Sequence, residues 1–348
     1  MAPALSSSLL LALGLGTSLT FSSSHWLLAW MGLEINALAI LPLMVSTHQS
    51  RGTEASVKYL LIQATGAAII LWGSMLNAQI TGHWNILTEK EDMAMLIIIT
   101  GLALKLGVAP VHAWFPEILQ GTNMTTAMIL STWQKMAPFI LMCEIASSYQ
   151  WLTLILGLCS IVVGGLAGIN MVHMRKLIAY SSIAHFGWMM LVVSSNIHLA
   201  LVALVIYTMA TVVIFSTLDS TSTPSIQSLP LSWTKYPALA GLFPLVLLSL
   251  GGLPPLSGFV PKWLIIQELT TQNLFLITFI AAISTLLSLF FYIRVVYVIV
   301  AVISPNFFGH APTKFFRGKS KIFPMAIPGV LALMLLPMLP MLHAFFFC

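Results

Sequence analysis

Between Asn273 and Val302 the chain runs for thirty residues with one charged side chain, Arg294. Comparable apolar runs recur from the N-terminus almost to Cys348. A run of about 20 apolar residues matches the hydrocarbon thickness of a bilayer when it is helical. In lipid every backbone N–H and C=O must find a partner inside the segment, which a helix provides. Strands of a membrane barrel would alternate in short segments instead. Composition agrees, with 59% hydrophobic residues, 7% charged and a mean hydropathy of +0.99. A soluble domain carries about 25% charged residues. The expectation is an all-α polytopic membrane protein.

Apolar segmentation predicts eleven helices, at about 3–21, 25–46, 56–80, 93–119, 124–146, 149–171, 176–195, 198–218, 239–269, 273–302 and 323–345. The opening stretch MAPALSSSLLLALGLGTSL has no basic n-region and reads as a first membrane helix rather than a signal or transit peptide. A mitochondrial chain of this kind is expected to be made inside the organelle, and a bacterial inner-membrane chain would need no such signal. The loops after even-numbered helices hold Arg51, Lys58, Arg175, Lys176, Lys235, Lys314, Arg317, Lys319 and Lys321, against Lys90 alone on the other side. The positive-inside rule then puts the even loops and the N-terminus in the matrix or cytoplasm, and the C-terminus opposite. The net charge of +5 is a topology signal and gives no reason to invoke nucleic acid.

Two segments break their own helices. GVAPVHAWFPEIL (107–119) aligns with GLPPLSGFVPKWL (252–264), with Gly, Pro, an aromatic and Pro at the same four places and an offset of 145 residues. The same offset lays helices 1–5 on helices 6–10. Five is odd, so the copies would enter the membrane from opposite sides: two inverted five-helix repeats (1–147 and 148–303), each with a broken fourth helix, then a basic loop and C-terminal helix (304–348).

An ionised side chain at the bilayer centre costs at least ~3 kcal/mol. Glu34, Lys105, Lys135 and Lys262 nevertheless sit within predicted helices, and His185 sits mid-helix. A structural ion pair explains one such residue as well as function does. Three lysines cannot all be neutralised by one glutamate, so the set suits a proton relay. Desolvation disfavours a charged lysine and a nearby carboxylate favours it; moving one partner shifts that balance by ~4–7 kcal/mol. A proton crossing 150–200 mV needs ~3.5–4.6 kcal/mol, so the sizes match. His112, inside the first break, either relays a proton or satisfies a freed carbonyl. Tyr180, Ser181 and Ser182 suit packing or hydration around His185, and Arg294 suits snorkelling. Cys143, Cys159 and Cys348 have no pairing or metal spacing, and no GxGxxG or P-loop pattern occurs, so no flavin, iron–sulfur or nucleotide site is expected.

KLGVAPVHAWFPEIL, WQKMAP and RKLIAYSSIAHFGWM resemble the proton-translocating antiporter-like subunits of respiratory complex I over nearly the whole chain. Full-length relatives have fourteen helices, and this chain starts at what looks like their fourth, as in the animal mitochondrial form. The resemblance implies that Glu34 and Lys105 are the acid–lysine pair of a first half-channel and Lys135 the central lysine. It matches Lys262 to the ionisable residue of the second broken helix and His185 to a Ser-Ser-Ile-x-His motif. It implies no cofactor in this chain, with FMN, iron–sulfur clusters, NADH and ubiquinone held elsewhere in the complex. Partners would be other complex I membrane subunits, especially NADH dehydrogenase subunits 4L and 4, and membrane lipid such as cardiolipin. One departure stands out: 198–218 offers Tyr207, Thr208, Thr211 and Ser216 where some relatives carry an ionisable residue. A stand-alone cation/proton antiporter and a structural spacer subunit are the rival readings. A sodium site would want several oxygen ligands, and a spacer would leave the lysines inert.

Overall fold

The computed structural model describes residues 3–45, 50–86, 92–232, 237–301, 328–330 and 333. The expected C-terminal helix 323–345, the basic loop 304–322, Lys90 and Lys235 lie wholly or almost wholly outside them. In chain order the helices are α1 (Pro3–Ser22), α2 (Trp26–Val45), α3 (Ser50–Thr81), α4 (Asp92–Leu106), α5 (Trp114–Gly121), α6 (Met124–Ser131), α7 (Trp133–Ala146), α8 (Gln150–Gly168), α9 (Met174–Val192) and α10 (Ile197–Thr221). A 3-10 turn at Ile226–Leu231 follows, then α11 (Pro237–Gly251), α12 (Phe259–Thr271) and α13 (Phe275–Ala301). Among the described residues six helices are long and apolar enough to cross a membrane: α1, α2, α3, α8, α10 and α13. Their outward faces carry large apolar side chains, such as Leu11, Trp151, Leu276 and Tyr297. Lipid solvates such a surface and water does not.

The chain packs as two compact units, residues 1–159 with 193–195, and 160–192 with 196–348. In the first, α1 meets α2 where Gly16 and Gly32 face each other: a Cβ on Gly32 would lie 2.8 Å from the Gly16 carbonyl. The approach of α3 to α4 works the same way, through Gly66, Gly73 and Gly101. Small residues let membrane helices come close enough for dispersion to hold them. In the second unit, Gly164 packs on α9 at Tyr180 and Ala184, while Gly165 and Gly168 pack on α13 at Ser284 and Phe291.

The expected breaks are present. α4 ends at Leu106 and the helix resumes at Trp114; α11 ends at Gly251 and resumes at Phe259. Both α4 and α11 have 15 residues, or about 22 Å of rise, less than the ~30 Å hydrocarbon core. Two boundaries differ from the sequence reading, and Arg294 finds a defined partner. α3 starts six residues early, which puts Arg51 and Lys58 in its first turns. Arg294 donates to the Ile169 carbonyl just past α8, at 2.7 Å. The expected continuous helix 124–146 is two helices that meet at Thr132. Pro138 cannot donate to the Gln134 carbonyl, and its ring crowds that turn. The hydroxyls of Ser131 and Thr132 both turn back to the Met128 carbonyl, at 3.0 and 2.7 Å, a bond that competes with the backbone ladder and bends helices.

A pair of buried lysine clusters at two helix breaks

In the first unit α2, α4 and α7 bring their ionisable residues to one place. α4 stops because Gly107 takes φ +71, open to glycine at no steric cost. Its N–H returns to Leu104 O (3.1 Å) and that of Val108 to Ala103 O (3.0 Å), a Schellman closure. Lys105 is thereby held in the last turn of α4, where a cation suits the helix dipole. The bend at Thr132 puts Lys135 in the first turn of α7. Lys105 and Lys135 are 5% and 1% exposed and line one small cavity of about 20 Å³ with Asn36, Tyr59, Gln63 and Gln134. That volume admits about one water molecule. Gln134 reaches across to donate to the Asn36 carbonyl at 2.9 Å.

Glu34 lies on α2 with Oε2 buried, and among the described residues neither that oxygen nor Lys105 Nζ has a hydrogen-bond partner. The carboxylate acts on Lys105 and Tyr59 through space. An acid and a lysine coupled without contact respond to small shifts of either helix. Lys135 has a different neighbour: its Nζ stands 3.8 Å over the centre of the Phe115 ring. His112 is half-buried outside this cavity, with Nδ1 3.2 Å from Pro110 O.

The second unit gathers Lys262, His185 and Tyr207 around another cavity of about 20 Å³. The Lys262 ammonium donates to Leu250 O (3.0 Å) and Gly251 O (2.9 Å), the last carbonyls of α11. His185 and Tyr207 stack at 5.6 Å between ring centres. Lys262 acts on His185 electrostatically, and the Tyr207 hydroxyl is hydrogen-bonded to Ser182. Ser181 and Ser182 otherwise close onto Ile178 O and Ala179 O.

Buried basic groups beside small cavities at helix breaks, the first lined by several polar side chains and the second mostly apolar, suit the transfer of a proton. Among the described residues no three His, Cys, Asp or Glu side chains converge as metal ligands. Residues 23–288 match the family described as "NADH:quinone oxidoreductase/Mrp antiporter, TM". The chain belongs to this family. Within it, the NADH-ubiquinone oxidoreductase chain 2 of Gadus morhua is 52% identical over 98% of both chains. That of Latimeria chalumnae is 46% identical over 99% of both. A chain of respiratory complex I from Thermus thermophilus superposes with a TM-score of 0.85 at 29% identity, covering 96% of this chain and 78% of that one. A chain of the Mrp complex from Dietzia shares the fold, with a TM-score of 0.77 at 19% identity.

Sequence reasoning missed the polar lining of the first cavity. Tyr59 and Gln63, four apart on one face of α3, and Asn36 and Gln134 were the available signal: polar side chains inside apolar helices. It named Tyr207 only among the hydroxyls of 198–218, without singling it out as a wall of the Lys262 site.

Proposed function

We propose that this chain is a core membrane subunit of the proton-pumping NADH:ubiquinone oxidoreductase of the mitochondrial inner membrane, and that it moves protons without a redox centre of its own. FMN, iron–sulfur clusters, NADH and ubiquinone belong to other subunits. The observation that carries the reading is the shared burial of Lys105 and Lys135 in one water-sized cavity, with Glu34 acting on Lys105. Within a family of proton carriers, such a group is a store for protons. Glu34 and Lys105 load the first site, Lys135 is its inner member and His112 its half-exposed outer edge. Lys262 and His185 form the second site, with Tyr207 supplying the hydroxyl that stands in for a missing ionisable residue.

The architecture proposed with it is eleven spans, as two inverted repeats (1–147, 148–303) and a C-terminal segment. Its support is local. Gly107 N→Leu104 O, Val108 N→Ala103 O and Phe115 N→His112 O each have a counterpart 145 residues on: Gly252 N→Ser249 O, Leu253 N→Leu248 O and Val260 N→Ser257 O. The N-terminus and loop 304–322 face the matrix, and the C-terminus the intermembrane space. Neighbours are other membrane subunits, subunits 4L and 4 among them, with cardiolipin at the lipid surface. Protease cleavage of 304–322 from the intermembrane-space side alone would overturn the orientation.

The deciding experiment uses the assembled complex in vesicles. Lys135→Met keeps length and apolar bulk while removing the proton carrier. It is expected to assemble, keep electron transfer to artificial acceptors, and lose proton translocation with quinone-coupled turnover. Lys135→Arg keeps a charge that is not released near neutral pH, and should fail almost as badly. Wild-type pumping by both variants makes the chain a spacer. Rescue by Arg alone makes Lys135 a fixed charge.

A further inference from the structure

We propose that Phe115 is a positioning residue for the proton on Lys135: its ring face takes the part that a carboxylate plays for Lys105. The inference rests on the relay reading above. Both side chains are 1% exposed, and Nζ lies 3.8 Å over the ring centre, inside the range of attraction between an ammonium and an aromatic face. The negative face of the ring attracts an ammonium and offers a neutral amine far less. The contact therefore discriminates between the two protonation states, and desolvation strengthens it.

The ring is also tied to the first break. Phe115 is the second residue of α5, and its N–H bonds His112 O inside the break at 3.1 Å. It packs edge-to-face on Trp114, with ring centres 5.5 Å apart and planes at 81°. The Trp114 indole donates to Leu104 O at 3.2 Å, one residue before Lys105. A change at 107–113 accordingly moves the ring relative to Nζ and alters how well Lys135 keeps its proton, while reaching the carbonyl beside Lys105. The second repeat offers an internal control. At the offset of 145, Phe115 becomes Val260 and Lys135 becomes Ile280, so the ring and the lysine are present together and absent together.

The test compares Phe115→Leu with Phe115→Tyr in the assembled complex, reading the proton-to-electron ratio and coupled quinone reduction in vesicles. Leu is expected to cut coupled turnover about tenfold, the scale of a desolvated cation–π contact, and Tyr to retain most of it. Equal impairment of both variants makes Phe115 a packing residue and overturns the proposal, as does wild-type behaviour of Leu. If Phe115→Leu assembles poorly, its effect on the thermal midpoint of the complex is measured with Lys135 and with Lys135→Met. A smaller effect on the Met background supports the contact, and the same effect on both overturns it. Normal pumping by Lys135→Met sinks the relay reading itself, whereas a dead Lys135→Met beside an active Phe115→Leu sinks this inference alone.

Discussion

The breaks at 107–113 and 252–258 are built on one backbone plan and finished in two ways. Each opens with a glycine at positive φ, +71 at Gly107 and +84 at Gly252, and each closes on a Schellman pair. They part at the freed carbonyls. Neutral Trp114 supplies the donor in the first break, at Leu104 O. In the second, the charged head of Lys262 supplies two, at Leu250 O and Gly251 O. The indole never titrates, so the first break keeps its cap whatever Lys105 does, and Lys105 is left to answer Glu34. In the second break the cap and the proposed proton carrier are the same group. Loss of its proton weakens its hold on the end of α11, and movement there changes how well the proton is held. On the proposed relay, a helix end is then a proton-sensitive element in the second unit and not in the first.

The largest effect is expected where the two breaks differ in room. A Cβ on Gly258 would lie 1.8 Å from Ser249 O, while the position 145 residues earlier already carries Ala113. Gly258→Ala should lose the assembled complex on native gels, by overpacking worth several kcal/mol, and Ala113→Gly should leave it. Normal assembly of Gly258→Ala would mean that the second break is looser than the first.

Next come the caps. Lys262→Met strands two buried carbonyls, at about 1–3 kcal/mol each. It should speed hydrogen exchange around 248–258 and abolish pumping. Trp114→Phe removes one bond from a carbonyl that still accepts from Gly107, so it should loosen the first break slightly and keep most pumping. Equal loss of pumping in both variants would show that capping matters and the titrating group does not.

Glu34→Gln sharpens the comparison from the side of the first unit. It removes the through-space partner of Lys105 and leaves every described hydrogen bond in place. Coupled turnover should fall severalfold in a complex that assembles normally, and an unchanged rate would remove Glu34 from the relay. The smallest effect belongs to Glu117, which occupies in the first break the place of Lys262 in the second. Its partner is Lys58 at 3.0 Å, with both side chains about half-exposed. Exposed ion pairs contribute little, so Glu117→Gln should leave assembly and turnover unchanged. A fall in pumping would make that position functional in both breaks.

The sequence by itself determined the membrane class, most helix positions, the sites of both breaks and the identity of the buried ionisable residues. Each of these follows from local rules: runs of apolar residues, Gly and Pro at fixed spacing, and the cost of a charge in lipid. Only the tertiary structure decided the partners. Lys105 and Lys135 share a cavity because α4 closes on α3 at Gly66 and Gly101, while α7 starts afresh after Thr132. Lys262 finds carbonyls rather than a carboxylate because the chain folds back across 252–258 onto the end of α11. Phe115 reads as one more apolar residue until α7 lays an ammonium on its face. Residue spacing fixes what is near along one helix. Which helix comes to lie against another is set by packing over the whole unit, and with it the choice between an indole, a ring face and a lysine as the group that answers a buried charge or a broken helix end.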